Sequence, residues 1–119
     1  MHSDLLFSYG TLQLESIQRE NFGRTLTGTR DSLPRFVAAP IPIDDPSIAE
    51  ALGQAHYLIA RYTGSANDAI DGTVFELTNE ELLRADAYEL PQYHRISVEL
   101  ASGKRSWVYA DESHLPPSL

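Results

Sequence analysis

The chain of 119 residues has no cysteine and only one lysine, one methionine and one tryptophan. Without cysteine there is no disulfide, no thiolate nucleophile and no cysteine-bound metal, and a reducing cytoplasm is the expected setting. The single lysine, Lys104, lies beside a hairpin turn, and no lysine-terminated phosphate loop is present. Positive charge is scarce overall: 9 basic residues face 17 acidic ones, for a net charge of −8. That balance argues against nucleic acid and against an anionic membrane surface as partners. No apolar run approaches membrane-spanning length, and Met1-His2-Ser3-Asp4 lacks the basic start of a signal peptide. The four histidines, His2, His56, His94 and His114, are scattered, with no pair at metal-ligand spacing beside a glutamate. A Gly-x-Ser-x-Gly elbow is also missing, so no serine is singled out as a nucleophile. No metal and no cofactor are expected.

What remains is an ordinary globular composition, 42% hydrophobic and 22% charged, with a length suited to one domain. The expected organisation is a single domain over residues 1–110 and a loosely held tail over 111–119, which contains Pro116-Pro117. The tail aside, nothing reads as a linker or an internal repeat.

The first strand is predicted at about residues 4–9, with Leu5, Phe7 and Tyr9 on one face. It stops at Tyr9-Gly10-Thr11-Leu12, and a helical pattern through Leu14, Ile17 and Phe22 ends at Gly23. The loop between them leaves backbone N–H groups at Gly10, Thr11 and Leu12 in need of partners. Gly10 lets a ligand approach the backbone, and the following helix start favours an anion. Strands are expected at 25–30 and 35–39, broken by a turn at Asp31-Ser32-Leu33-Pro34. Pro40, Pro42 and Pro46 exclude a central strand or helix interior there, and Asp45-Pro46 starts a short helical turn that Gly53 stops.

Strands at 56–63 and 72–77 follow. Thr78 and Glu81 then have capping-box spacing, which starts a helix that Pro91 ends. A hairpin with strands at 93–100 and 104–110 turns at Ser102-Gly103. Strands outnumber helices, so the expected fold is α+β, a small mixed β-barrel or sheet with flanking helices.

Within the capped helix, Leu82, Asp86 and Glu89 share a face. Two carboxylates three residues apart near a helix C-terminus repel each other and oppose the helix dipole. Both effects raise a carboxylate toward the range of a general base near neutral pH. A solvated pair at small cost is the competing reading. Arg95 has either Asp86 or Glu99 in reach, and pairing with Asp86 would leave Glu89 alone to titrate. His94 falls on the apolar face of its strand and reads as a core histidine.

These elements together resemble the γ-glutamylcyclotransferase family, including AIG2-like proteins. The resemblance rests on Tyr9-Gly10-Thr11-Leu12, Gly72-Thr73-Val74-Phe75-Glu76-Leu77, Asp86-Ala87-Tyr88-Glu89, Tyr93-His94-Arg95 and the closing Trp107-Val108-Tyr109, in that order. Ala85 replaces the family's usual Leu, Leu90 stands where Gly often follows the glutamate, and residues 40–69 have no close counterpart. The resemblance implies a γ-glutamylcyclotransferase-like fold and metal-independent release of 5-oxoproline from a γ-glutamyl amine or peptide. It implies Glu89 as the acid/base, with Tyr9, Gly10, Thr11, Leu12 and Tyr93 binding the substrate and Asp86 and Arg95 supporting them. A non-catalytic small-molecule-binding or protein-interaction module of the same fold is the alternative, and no oligomeric state is implied.

Overall fold

The computed structural model describes residues 3–117. Its first strand, β1 (Ser3–Ser8), buries both faces: Leu6 and Phe7 point opposite ways and each is 1% exposed. A 3-10 turn (Thr11–Gln13) leads into α1 (Glu15–Phe22), which ends on Gly23 in the left-handed conformation. The chain continues through β2 (Thr27–Pro34), β3 (Phe36–Pro42), α2 (Pro46–Leu52), β4 (His56–Tyr62) and β5 (Ala69–Thr78). It then forms α3 (Asn79–Tyr88), β6 (Tyr93–Glu99) and β7 (Arg105–Asp111). The capping box at Thr78 and Glu81 is formed in both directions, and Asp45 caps α2. No helix of the described residues is long and apolar enough to cross a membrane.

The strands form one mixed sheet in the order β2-β5-β1-β7-β4-β3, with β6 antiparallel on β7. Because β6 covers the whole of one edge of β7, β1 and β4 share the other edge. Both run parallel to it, β1 meeting it at Trp107 and β4 at Ala110. The sheet therefore forks between β1 and β4. Phe7, Ile96 and Val108 belong to the core on one face, while Leu6, Phe75 and Leu82 pack with α1 and α3 on the other.

The expected barrel is a curled sheet that does not close. Its two end strands, β2 and β3, are joined through Arg35 alone and do not pair. Arg35 makes this corner at φ 70°, held by its N–H on the Asp68 carbonyl and by the Thr63 N–H on its own carbonyl, both at 2.8 Å. The turn expected at residues 31–34 is therefore strand. Leu33 is buried in the core, and Asp31 to Pro34 pair with Gly72 to Ala69 of β5, so tertiary pairing overrides local turn chemistry. Pro40 and Pro42 sit on the edge strand β3. Ile43 donates to Ala55 of the neighbouring strand segment, so alternation turns the two proline nitrogens away from β4.

Gly72 is required by close approach, since a Cβ there would lie 2.4 Å from the Ser8 carbonyl oxygen on β1. Contacts of residues 111–115 with the body of the fold are formed. Asp111 closes β7 and is buried, the Tyr62 N–H donates to the His114 carbonyl, and Leu115 packs on the core. His2 and residues 118–119 lie outside the described residues.

Candidate active site

The loop after β1 is shaped by its own backbone and by two glutamines. Gln13 and Leu14 return their N–H groups to Gly10 and Thr11, closing the 3-10 turn. The N–H groups of Thr11 and Leu12 find no partner among the described residues, and that of Gly10 reaches only Ser8 Oγ, at 3.5 Å. Gln18, 2% exposed on α1, fixes the loop from behind. Its amide donates to the Leu12 carbonyl and accepts from the Leu26 N–H, each at 2.8 Å. The helix start expected near the loop lies beyond this turn, at Glu15.

Tyr9 occupies the fork of the sheet. Its hydroxyl donates to the Tyr109 carbonyl at 2.6 Å on β7 and accepts the Ala60 N–H at 2.8 Å on β4. It thus supplies the link that β1 and β4 cannot make to each other. Burial raises its pKa well above the ordinary phenol value, so the hydroxyl stays protonated. The hydroxyl is committed to the fold, and the residue borders the cavity beside it.

At the far end of α3, Pro91 denies Leu90 a helical conformation, and the chain leaves the helix at Glu89 with ψ 151°. Glu89 is partly buried, and its carboxylate makes no hydrogen bond with the described residues. Burial, and then the negative charge of Asp86, raise its pKa to about 7. Asp86 is fully engaged by contrast. Arg95 grips it with Nε at 2.8 Å and Nη2 at 3.1 Å, and the Tyr109 hydroxyl donates to it at 2.7 Å. Arg95 also lies 4.4 Å over the Trp107 ring. Of the two partners in reach by sequence, Arg95 takes Asp86.

These parts converge on a cavity of about 510 Å³, lined by the loop from Tyr9 to Leu14, by Tyr88, Glu89 and Tyr93, and by Tyr57 and Leu58 of β4. A more open hollow of about 440 Å³ adjoins it on the far side of Glu89, beside Asp86 and Arg95. Tyr93 borders both, with its hydroxyl donated to the Leu58 carbonyl at 2.6 Å. Thr11 bonds the Tyr88 hydroxyl at 2.6 Å, tying the loop to α3. Among the described residues no group of three His, Asp or Glu side chains is placed to hold a metal ion.

Sequence reasoning singled out Glu89, the loop, Tyr93, Asp86 and Arg95, and the structure brings all of these to one place. It missed Gln18, Tyr88, and the wall from Gln54 to Leu58. The register that pairs Tyr109 with Arg95 across the 93–111 hairpin was the available signal for Tyr109 beside Asp86. His94 is exposed rather than in the core, because it sits at the start of β6, on an edge of the sheet.

The forked mixed sheet thus brings the Glu89 carboxylate and the loop from Tyr9 to Leu14 to one cavity. The chain belongs to the family described as Gamma-glutamyl cyclotransferase, AIG2-like, which matches residues 6–117. No curated protein matches it in sequence. Among solved structures it is similar to At3g28950.1 from Arabidopsis thaliana, at TM-score 0.74 and 17% identity over 98% of this chain and 67% of that one. It is similar also to At5g39720.1 from Arabidopsis thaliana, at TM-score 0.75 and 18% identity over 99% and 74%. A structure named Gamma-glutamyl cyclotransferase matches at TM-score 0.70 and 16% identity over 96% and 69%. At these identities the three structures speak for the fold.

Proposed function

We propose that the protein is a γ-glutamylcyclotransferase-like enzyme that releases 5-oxoproline from a γ-glutamyl amide, with Glu89 as the general acid/base. The observation that carries this reading is the Glu89 carboxylate, raised to about 7 and without a hydrogen-bond partner among the described residues, on the wall of the same cavity as Thr11 and Leu12, whose N–H groups have no partner among them either.

In this mechanism the loop N–H groups hold the substrate's α-carboxylate or its γ-carbonyl oxygen. Glu89 takes a proton from the α-ammonium, freeing the nitrogen lone pair to attack the γ-carbonyl carbon. The new C–N bond closes the five-membered lactam. Collapse of the tetrahedral centre breaks the bond to the departing nitrogen, which receives the proton through Glu89. The nucleophile is the substrate's own amine, so the protein has only to hold a near-attack conformer and move protons. A carboxyl that titrates near neutrality serves both directions of transfer.

The test is incubation with a panel of γ-glutamyl amines, dipeptides and amino acids, reading 5-oxoproline by mass spectrometry, with Glu89→Gln as the control. Release that depends on Glu89 supports the reading. No release from any member contradicts it and favours a binding module of the same fold.

A further inference from the structure

The loop can serve one carboxylate of a ligand, and the rest of the cavity wall offers a second no guanidinium or ammonium group among the described residues. Among the described residues lining the cavity there is no arginine and no lysine, and the one acidic side chain is the titrating carboxyl of Glu89. Arg95 lines the adjoining hollow instead, with its Nε and Nη2 on Asp86 and one face of its guanidinium over Trp107. The two glutamines of the wall are also engaged. The Gln54 amide donates to the His56 carbonyl at 2.8 Å, and Gln13 accepts from the Thr73 hydroxyl at 2.9 Å while its amide faces the Gly10 carbonyl. His56, exposed, is the only basic side chain on the wall.

Apart from Gln54 and His56, the wall beyond Glu89 and the loop is made of aromatic rings and leucines. Five of the six tyrosines border the cavity, and four of these direct their hydroxyls to protein partners, at Tyr109 and Ala60, Thr11, Leu58 and Asp86. Ring surface is what they leave for a ligand. Leu14 and Leu58, 44% and 41% exposed, line the cavity from two separate segments, the loop and β4. Two exposed leucines on the wall of this cavity are apolar surface left open to a ligand.

We infer that the leaving group is an uncharged, apolar primary amine without a carboxylate, and that Leu14 and Leu58 are the residues that select it. This inference rests on the cyclotransferase reading and adds to it the class of γ-glutamyl amide. A leaving amino acid or peptide would bring its own carboxylate into an apolar wall beside Glu89, unpaired and repelled.

Three substrates of similar size separate charge from shape: γ-glutamylpropylamide, γ-glutamylglycinamide and γ-glutamylglycine. The kcat/KM for 5-oxoproline release is expected to fall in that order, with the propylamide ahead of the glycine conjugate by about tenfold or more. Leu58→Arg, a change at an exposed position, is expected to narrow that ratio by roughly fivefold by offering the carboxylate a cation, and Leu14→Arg provides the same test from the other segment. A glycine conjugate turned over as well as the propylamide overturns the inference while leaving the cyclotransferase reading intact. An unchanged ratio in both arginine variants removes the role of the two leucines. No release from any of the three overturns the underlying reading, and the inference with it.

Discussion

Asp86 and Glu89 leave the last turns of α3 toward the same site, yet only Asp86 is compensated. Three hydrogen bonds, two from Arg95 and one from Tyr109, reach the Asp86 carboxylate, and none from the described residues reaches Glu89. The bound Asp86 charge adds to burial in raising the Glu89 pKa to about 7. Because the carboxylate form is the base, the acid limb of the kcat/KM profile is expected near pH 7. Asp86→Asn removes the second cause and releases Arg95, and both changes lower the Glu89 pKa. The limb should therefore move to lower pH, checked by a pH–rate profile of the two proteins. A limb unmoved, or moved to higher pH, contradicts the coupling.

The same shift carries a stability signature. Between the ordinary carboxyl value of 4.5 and about 7, the native state holds a proton on Glu89 that the unfolded chain has lost. Stability from this group is therefore full below about 4.5 and falls as pH rises through that window, by about 2 kcal/mol after allowance for partial exposure. Glu81 and Asp111 act with the opposite sign. The Arg24 guanidinium and the Ser113 hydroxyl respectively hold them near 2, so their stability is full above the ordinary carboxyl range and lost in acid. Urea denaturation from pH 4.5 to 8 should show a decline in the parent that Glu89→Gln removes, leaving the variant the more stable protein at pH 8.

Tyr9→Phe tests the fork. The phenol oxygen joins the Tyr109 carbonyl to the Ala60 N–H, and its loss leaves two backbone groups in the sheet interior without their partner. A destabilisation of about 1–3 kcal/mol is expected in urea, with the fold retained because the ring stays in place. A variant as stable as the parent would show that water replaces the hydroxyl.

Local signals carried far in this chain, and long-range ones did not. Thr78 with Glu81, Asp45 with Pro46, and Gly23 each declare a helix end within a few residues, and all three ends are found there. Asp31-Ser32-Leu33-Pro34 has the composition of a turn, but its pairing with a strand almost forty residues later decides otherwise. The carboxylates of α3 and the glycine loop were legible because each has its own spacing rule. What isolates Glu89 was not. Asp86 with Tyr109, Glu81 with Arg24 and Tyr9 with Ala60 are contacts between distant segments, made only when the sheet curls. The wall at Gln54 to Leu58 belongs to the stretch where the family pattern offers no counterpart, and the parallel meeting of β4 with β7, with the Tyr9 and Tyr93 hydroxyls on β4, brings it to the loop.

The most direct measurement of the central claim is 5-oxoproline release by the parent protein and by Glu89→Gln, under saturating γ-glutamyl amide, on samples matched for folding by circular dichroism. Loss of release by a factor of about 10² or more in the folded variant is the predicted result. Release by Glu89→Gln at the parent rate would contradict the account.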